Sequence, residues 1–172
     1  MLSLALGSFP LLMVFAACMD LLTMRISNRI SIALLFAYAP LAALSGLPFW
    51  TLEPDSIVMH YACGLCLLAF TFALYAFGKI GGGDAKLAAA SAVWMGWGPV
   101  VDYLLIASLL GGALALLILF GRAFALPLFM LKQPWIVSLH KPKSRIPYGV
   151  ALGLAGVIVY PQTAIWLAAR GM

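Results

Sequence analysis

The sequence predicts an all-α fold, namely a polytopic bundle of about six transmembrane helices. Of its 172 residues, 65% are hydrophobic and only 9% are charged, whereas a soluble domain carries about a quarter charged residues. The apolar residues fall into long runs, and a membrane helix needs about 20 such residues. The bilayer is therefore the expected solvent, and residues 1–172 are expected to form a single integral-membrane domain.

Six apolar runs mark the expected spans. They cover residues 2–19, 30–47, 57–77, 85 to a break at 96–99, 100–120 and 148–168. The fourth run is roughly 21 Å long as a helix, which is short for a hydrocarbon core of about 30 Å. Between the fifth and sixth runs, residues 121–147 have an apolar middle that holds Pro127 and Pro134. This segment is predicted to be interfacial or re-entrant rather than a seventh span.

The basic residues predict the orientation. Nine of the ten follow the first, third or fifth span: Arg25, Arg29, Lys79, Lys86, Arg122, Lys132, Lys141, Lys143 and Arg145. Because Lys and Arg mark cytoplasmic loops, both termini are expected outside the cytoplasm. The net charge of +5 is thus attributed to orientation and not to nucleic-acid binding. An aromatic belt at the outer ends of the spans is expected from Trp50, Trp94, Trp97 and Trp166.

The cysteines and histidines predict no metal site. Cys63 and Cys66 form a C-x-x-C pair, but both lie within an apolar run, where cysteine is an ordinary small hydrophobic residue. His60 lies near the outer face and His140 in the basic loop, too far apart for a recognisable ligand set. No metal and no cofactor is therefore expected.

Two of the five acidic residues, Asp20 and Asp84, are the candidate catalytic residues. Both lie at cytoplasmic ends of predicted spans, where an ionisable group is costly and suggests function. Two aspartates that share one proton can hydrolyse an amide, because the ionised one activates water while the protonated one polarises the carbonyl. The preceding Gly81, Gly82 and Gly83 permit close approach of an extended substrate.

Structural roles for these residues stay open at this level. A Gly-Asp pair before a helix is a common N-cap, and Asp20 could simply pair with Arg25 or Arg29. Lys79 and Lys86 flank the glycines and are expected either to snorkel to the interface or to tune the site. Lys86 joins the three glycines as an expected substrate contact.

The motifs around both aspartates resemble a known family. The run Gly81-Gly82-Gly83-Asp84 matches the G-x-G-D pattern of intramembrane aspartyl proteases, and the next residues, 85–87, resemble the form found in type IV prepilin peptidases. Residues 20–28 resemble the family's first aspartate with its basic segment, although Ser27 stands where proline is frequent. Residues 146–149 resemble the segment that opens the last helix.

The resemblance implies an intramembrane aspartyl endopeptidase with Asp20 and Asp84 as its catalytic dyad. It would remove the leader of type IV or Flp-type prepilins at the cytoplasmic face of the bacterial inner membrane. The implied partners are the lipid bilayer and a prepilin, which has a basic leader followed by an apolar helix. The chain resembles the short, peptidase-only form, in which methylation of the product is not expected.

Two other functions stay open. A non-enzymatic membrane transporter or pilus-assembly scaffold would use Asp20 and Asp84 as proton-relay or structural groups. Such a transporter should show paired broken helices at mid-membrane, whereas the sequence has one break, at 96–99 near the outer face. A different G-x-G-D protease, such as an archaeal-type preflagellin peptidase, would apply the same chemistry to another substrate.

Overall fold

The computed structural model of the protein describes residues 7–124, 132–140 and 145–171. Of these described residues, 76% are helical, and no strand occurs among them. The helices are α1 (Ser8–Thr23), α2 (Asn28–Leu44), α3 (Ile57–Ala76), α4 (Gly82–Met95), α5 (Val100–Gly121), α6 (Pro134–His140), α7 (Tyr148–Val159) and α8 (Ala164–Ala169). The predicted all-α fold class is thereby confirmed.

Two helices in the described part of the chain, α3 and α5, are long and apolar enough to cross a membrane, with 20 and 22 residues. Helices α1 and α2 are apolar but shorter, as is α7 together with the turn that follows it. The number of spans therefore stays a prediction. The start of the first predicted run, residues 2–6, lies outside the described residues, as do Pro127, Lys141 and Lys143.

Glycine and proline explain two breaks between helices. Helix α4 ends at Met95, followed by Gly96 with a φ of +70°, and Pro99 precedes α5, which confirms the predicted break. The predicted single helix over 148–168 is wrong, because a 3-10 turn at Tyr160–Gln162 separates α7 from α8. Its central Pro161 has no N–H to continue an α-helix.

Helix α4 is the centre of the bundle. It packs against α3, α2 and α7, while α7 also packs against α1 and α5. Ten of the 14 residues of α4 are buried, and five of these are alanines. Small side chains let helix backbones approach closely. A side chain at Gly64 of α3, for example, would collide with Val93 of α4. Helix α4 is therefore closely packed over most of its length.

An aromatic core surrounds the last turn of α4. Trp94 is fully buried, and its Nε1 donates a hydrogen bond of 2.9 Å to the carbonyl of Leu34. Phe9 lies 5.0 Å from the Trp94 ring and 4.8 Å from that of Tyr160. The prediction that Trp94 belongs to an interfacial belt is therefore wrong, because α4 is enclosed even at its end. Trp50 is 80% exposed.

Candidate active site

Asp20 lies in the last turn of α1 and is only 6% exposed. Helix α1 ends shortly after it, because Met24 adopts the left-handed conformation, with a φ of 55°. The Met24 N–H donates to the Asp20 carbonyl at 2.8 Å. After this turn Ser27 caps α2, since its Oγ accepts a hydrogen bond from the Arg29 N–H at 3.3 Å. The Ser27 hydroxyl thus caps the start of α2 at the position where the family that the segment resembles often has proline.

The carboxylate of Asp20 is held by the start of α7. Its Oδ2 accepts a hydrogen bond of 2.7 Å from the backbone N–H of Gly149. N–H groups in the first turn of a helix have no partner within the helix, and they carry partial positive charge. A Cβ at position 149 would lie 2.8 Å from this carboxylate oxygen. Glycine is therefore required for the contact.

Asp84 lies in the first turn of α4. Gly81 precedes this helix in an extended conformation, with φ −76° and ψ 143°. The backbone of Gly81 hydrogen-bonds the Asp84 carboxylate, as an acidic residue at the third helical position does when it reaches back to the capping residue. A Cβ on Gly81 would lie 2.7 Å from Oδ2 of Asp84. The glycine backbone therefore determines where this carboxylate sits.

Both aspartates line one cavity of about 220 Å³, here called the aspartate cavity. Its lining residues are Asp20, Met24, Arg25, Ile26, Gly81, Gly83, Asp84, Arg145 and Ile146. The two carboxylates are close enough to interact electrostatically, and Arg145 also acts on Asp84. The fold thus brings together two residues that are 64 positions apart in the sequence.

The other predicted site residues divide between two further surfaces. Gly82 lies beside the Tyr75 ring in a neighbouring groove that Arg145 also lines. Lys86 instead projects to a separate apolar groove between α2, α3 and α4, here called the Asn28 groove. There its Nζ donates a hydrogen bond of 3.2 Å to Oδ1 of Asn28. Contact between Lys86 and the substrate therefore stays a prediction.

Sequence reasoning missed the roles of Arg145 and Gly149. Arg145 was counted only as an orienting charge, yet it lines the aspartate cavity. Gly149 was noted as a packing glycine and within a family-like segment, yet it binds Asp20 directly. That segment was the available signal, but nothing local to it predicts which side chain it meets.

Two aspartates that line one cavity are the residue types that activate a water against an amide. Within the described ranges, no group of three or more His, Cys, Asp or Glu side chains gathers as a metal site. Such a pair fits the class of hydrolytic peptidases.

The comparison with known families agrees with that class. A sequence model of the type IV leader peptidase family matches residues 7–116, more than half of the chain, so the protein belongs to this family. The family is a peptidase family, which confirms the prediction of a peptidase, and the matched residues include both aspartates. No curated protein and no solved structure matches the chain.

Proposed function

We propose that the protein is an intramembrane aspartyl endopeptidase that removes the basic leader of type IV or Flp-type prepilins. The observation that carries this proposal is the aspartate cavity, which is lined by Asp20 and Asp84 together. Family membership supports the choice of a leader peptide as substrate. Asp20 and Asp84 form the catalytic dyad.

In the proposed reaction the dyad carries one proton, because two ionised carboxylates that line one small cavity repel each other. The ionised aspartate takes a proton from a water molecule, whose oxygen attacks the scissile carbonyl carbon. The protonated aspartate donates a hydrogen bond to the carbonyl oxygen as negative charge develops there. Collapse of the tetrahedral intermediate breaks the C–N bond, and the leaving amine takes a proton from the dyad.

We place this site at the cytoplasmic face of the bacterial inner membrane. Arg25 and Arg145 line the aspartate cavity, and Lys79 lies just beyond it, so basic residues gather at this end of the bundle. Basic loops face the cytoplasm in membrane proteins. A polytopic bundle of about six spans, formed by residues 1–172 as one domain, then has both termini on the periplasmic side.

Substrate binding is proposed along the glycine segment. Gly81 and Gly83 line the aspartate cavity, and Gly82 lines the groove beside it. Because Gly81 is extended, its backbone suits pairing with an extended peptide, as in strand addition. The leader would then lie across the start of α4 with its scissile bond between the two carboxylates.

The test is a cleavage assay with reconstituted protein and a prepilin, comparing Asp20→Asn and Asp84→Asn with Asp102→Asn. Asparagine keeps the size of aspartate but cannot exchange its proton. We expect each dyad variant to lose about 10²- to 10⁴-fold in rate. The exposed Asp102 at the start of α5 is the matched control and should leave the rate unchanged. Normal cleavage by either dyad variant, or no cleavage by the unmodified protein, contradicts the proposal.

A further inference from the structure

A second feature adjoins the dyad. An apolar groove of about 440 Å³ begins at Asp84 and continues between α3, α5 and α7; it is called the Asp84 groove. Its apolar walls include Leu67 and Phe70 of α3, Leu104 of α5 and Leu152 of α7. An apolar cavity of about 150 Å³ holds one benzene-sized group. The Asp84 groove therefore has room for several large apolar side chains.

The polar groups of the Asp84 groove lie mainly at one end. Of its charged lining residues, Lys79 lies in the short connection between α3 and α4, and Asp84 lies in the first turn of α4. Further along, Thr71 donates to the Leu67 carbonyl at 2.8 Å, and Ser108 donates to that of Leu104 at 2.7 Å. Both hydroxyls are thus satisfied within their own helices. The groove therefore suits an occupant that is polar beside the dyad and apolar beyond it.

We propose that the Asp84 groove binds the apolar helix of the substrate, the segment that directly follows the cleaved bond. This inference rests on the proposed function. Gly112 and Ser108 on α5, together with Ala88 and Ala107, give the groove small residues that let a helix backbone approach closely. Because Asp84 lines both the groove and the aspartate cavity, a helix in the groove leads its own end to the dyad.

The Asn28 groove is the useful contrast. It is similar in size, about 410 Å³, and also largely apolar, but neither Asp20 nor Asp84 lines it. A helix bound there would meet neither carboxylate of the dyad along the groove. Because the Asp84 groove reaches a catalytic carboxylate and the Asn28 groove does not, the Asp84 groove is the proposed docking site for the substrate helix.

Gly112 offers a direct test. A Cβ at Gly112 or at Gly121 would meet no atom within 4 Å, so both positions have open space for the start of a side chain. Gly112 lines the Asp84 groove, whereas Gly121, at the end of the same helix, does not. Gly112→Leu and Gly121→Leu would each be assayed on a full prepilin and on a short peptide that ends just beyond the scissile bond.

We expect Gly112→Leu to lower the ratio of kcat/KM for the prepilin to that for the peptide by about tenfold, mainly through KM. Gly121→Leu should keep the ratio of the unmodified protein. An unchanged ratio in Gly112→Leu, or an equal loss on both substrates, would overturn the groove assignment. If the unmodified protein cleaves neither substrate, the proposed function itself fails, and the two failures are thereby distinguished.

Cross-linking separates the helix from a lipid chain as the occupant. The background is an Asp84→Asn variant in which the exposed Cys18 and Cys66 are replaced by alanine. Ser108→Cys is added to this background. The resulting protein is then oxidised together with a prepilin that carries one cysteine in its apolar segment. A disulfide between the two chains is expected. Leu65→Cys in the Asn28 groove is the control and should form none. A disulfide with Leu65→Cys alone, or with neither cysteine variant, contradicts the assignment.

Discussion

The backbone N–H of Gly149 donates a hydrogen bond of 2.7 Å to Oδ2 of Asp20. This contact joins the end of α1 to the start of α7, helices that lie at opposite ends of the chain. Because Asp20 is buried, the bond determines where its carboxylate points. The orientation of the proposed dyad therefore depends on a residue far from either aspartate in sequence.

Gly149→Ala should impair cleavage strongly. The added Cβ would lie 2.8 Å from both Oδ2 of Asp20 and Cδ1 of Ile26, so the Asp20 carboxylate or the start of α7 must shift and the hydrogen bond between them is disturbed. Overpacking of this kind also costs about 1–3 kcal/mol of stability. The measurement is the cleavage rate together with the thermal midpoint of the detergent-solubilised protein.

Gly121→Ala is the control for Gly149→Ala, because a Cβ at Gly121 meets nothing within 4 Å. It should leave both the rate and the midpoint unchanged. If Gly149→Ala cleaves as fast as the control, the hydrogen bond to Asp20 has no bearing on catalysis.

Alanine substitutions across the glycine segment should reduce the cleavage rate in a fixed order. Gly81→Ala should be the most damaging, because its Cβ would lie 2.7 Å from the Asp84 carboxylate. Gly83→Ala meets Ile26 at 3.3 Å and should be intermediate. Gly82→Ala meets the half-exposed Tyr75 ring at 3.2 Å, which can turn aside, so it should be mildest. Rates measured at saturating prepilin give the order, and Gly82→Ala as the worst variant would refute it.

Arg145→Gln should lower kcat/KM by up to about fivefold, as expected for loss of an exposed charge interaction. Arg145 lines the aspartate cavity and acts on Asp84. Lys86→Gln is the comparison, because Lys86 lines the Asn28 groove instead, and it should have the smaller effect. Salt screens exposed charges, so the difference between unmodified protein and Arg145→Gln should shrink at high ionic strength. A larger loss from Lys86→Gln would assign the substrate contact to Lys86 after all.

Gly96→Ala should destabilise the bundle without acting on the dyad directly. Gly96 has a φ of +70° and ψ of −174°, a conformation that costs other residues about 1–3 kcal/mol. Its Cβ would also lie 2.5 Å from Cε1 of the buried His60. A lower thermal midpoint is expected. Gly98→Ala, where a Cβ meets open space, should leave the midpoint unchanged, and equal midpoints for the two variants would contradict the prediction.

The local features of the fold were predictable from the sequence. Apolar composition and run length indicated helices, and Gly96 with Pro99 indicated the break between α4 and α5, because glycine and proline act on the backbone where they stand. Asp20 and Asp84 were recognisable because an ionisable group is conspicuous in an apolar chain. Pro161 carried the same kind of local signal for the turn between α7 and α8, but the surrounding apolar run concealed it.

The sequence by itself determined the helical class, the family and the two candidate aspartates, all of which depend on composition or short motifs. Only the tertiary structure decided that these aspartates share a cavity, that Gly149 binds Asp20, that Lys86 lines the Asn28 groove, and that Trp94 is buried. The physical reason is that these relationships depend on which helix faces meet. In a chain that is apolar nearly all round each helix, hydrophobic periodicity does not distinguish a buried face from an exposed one.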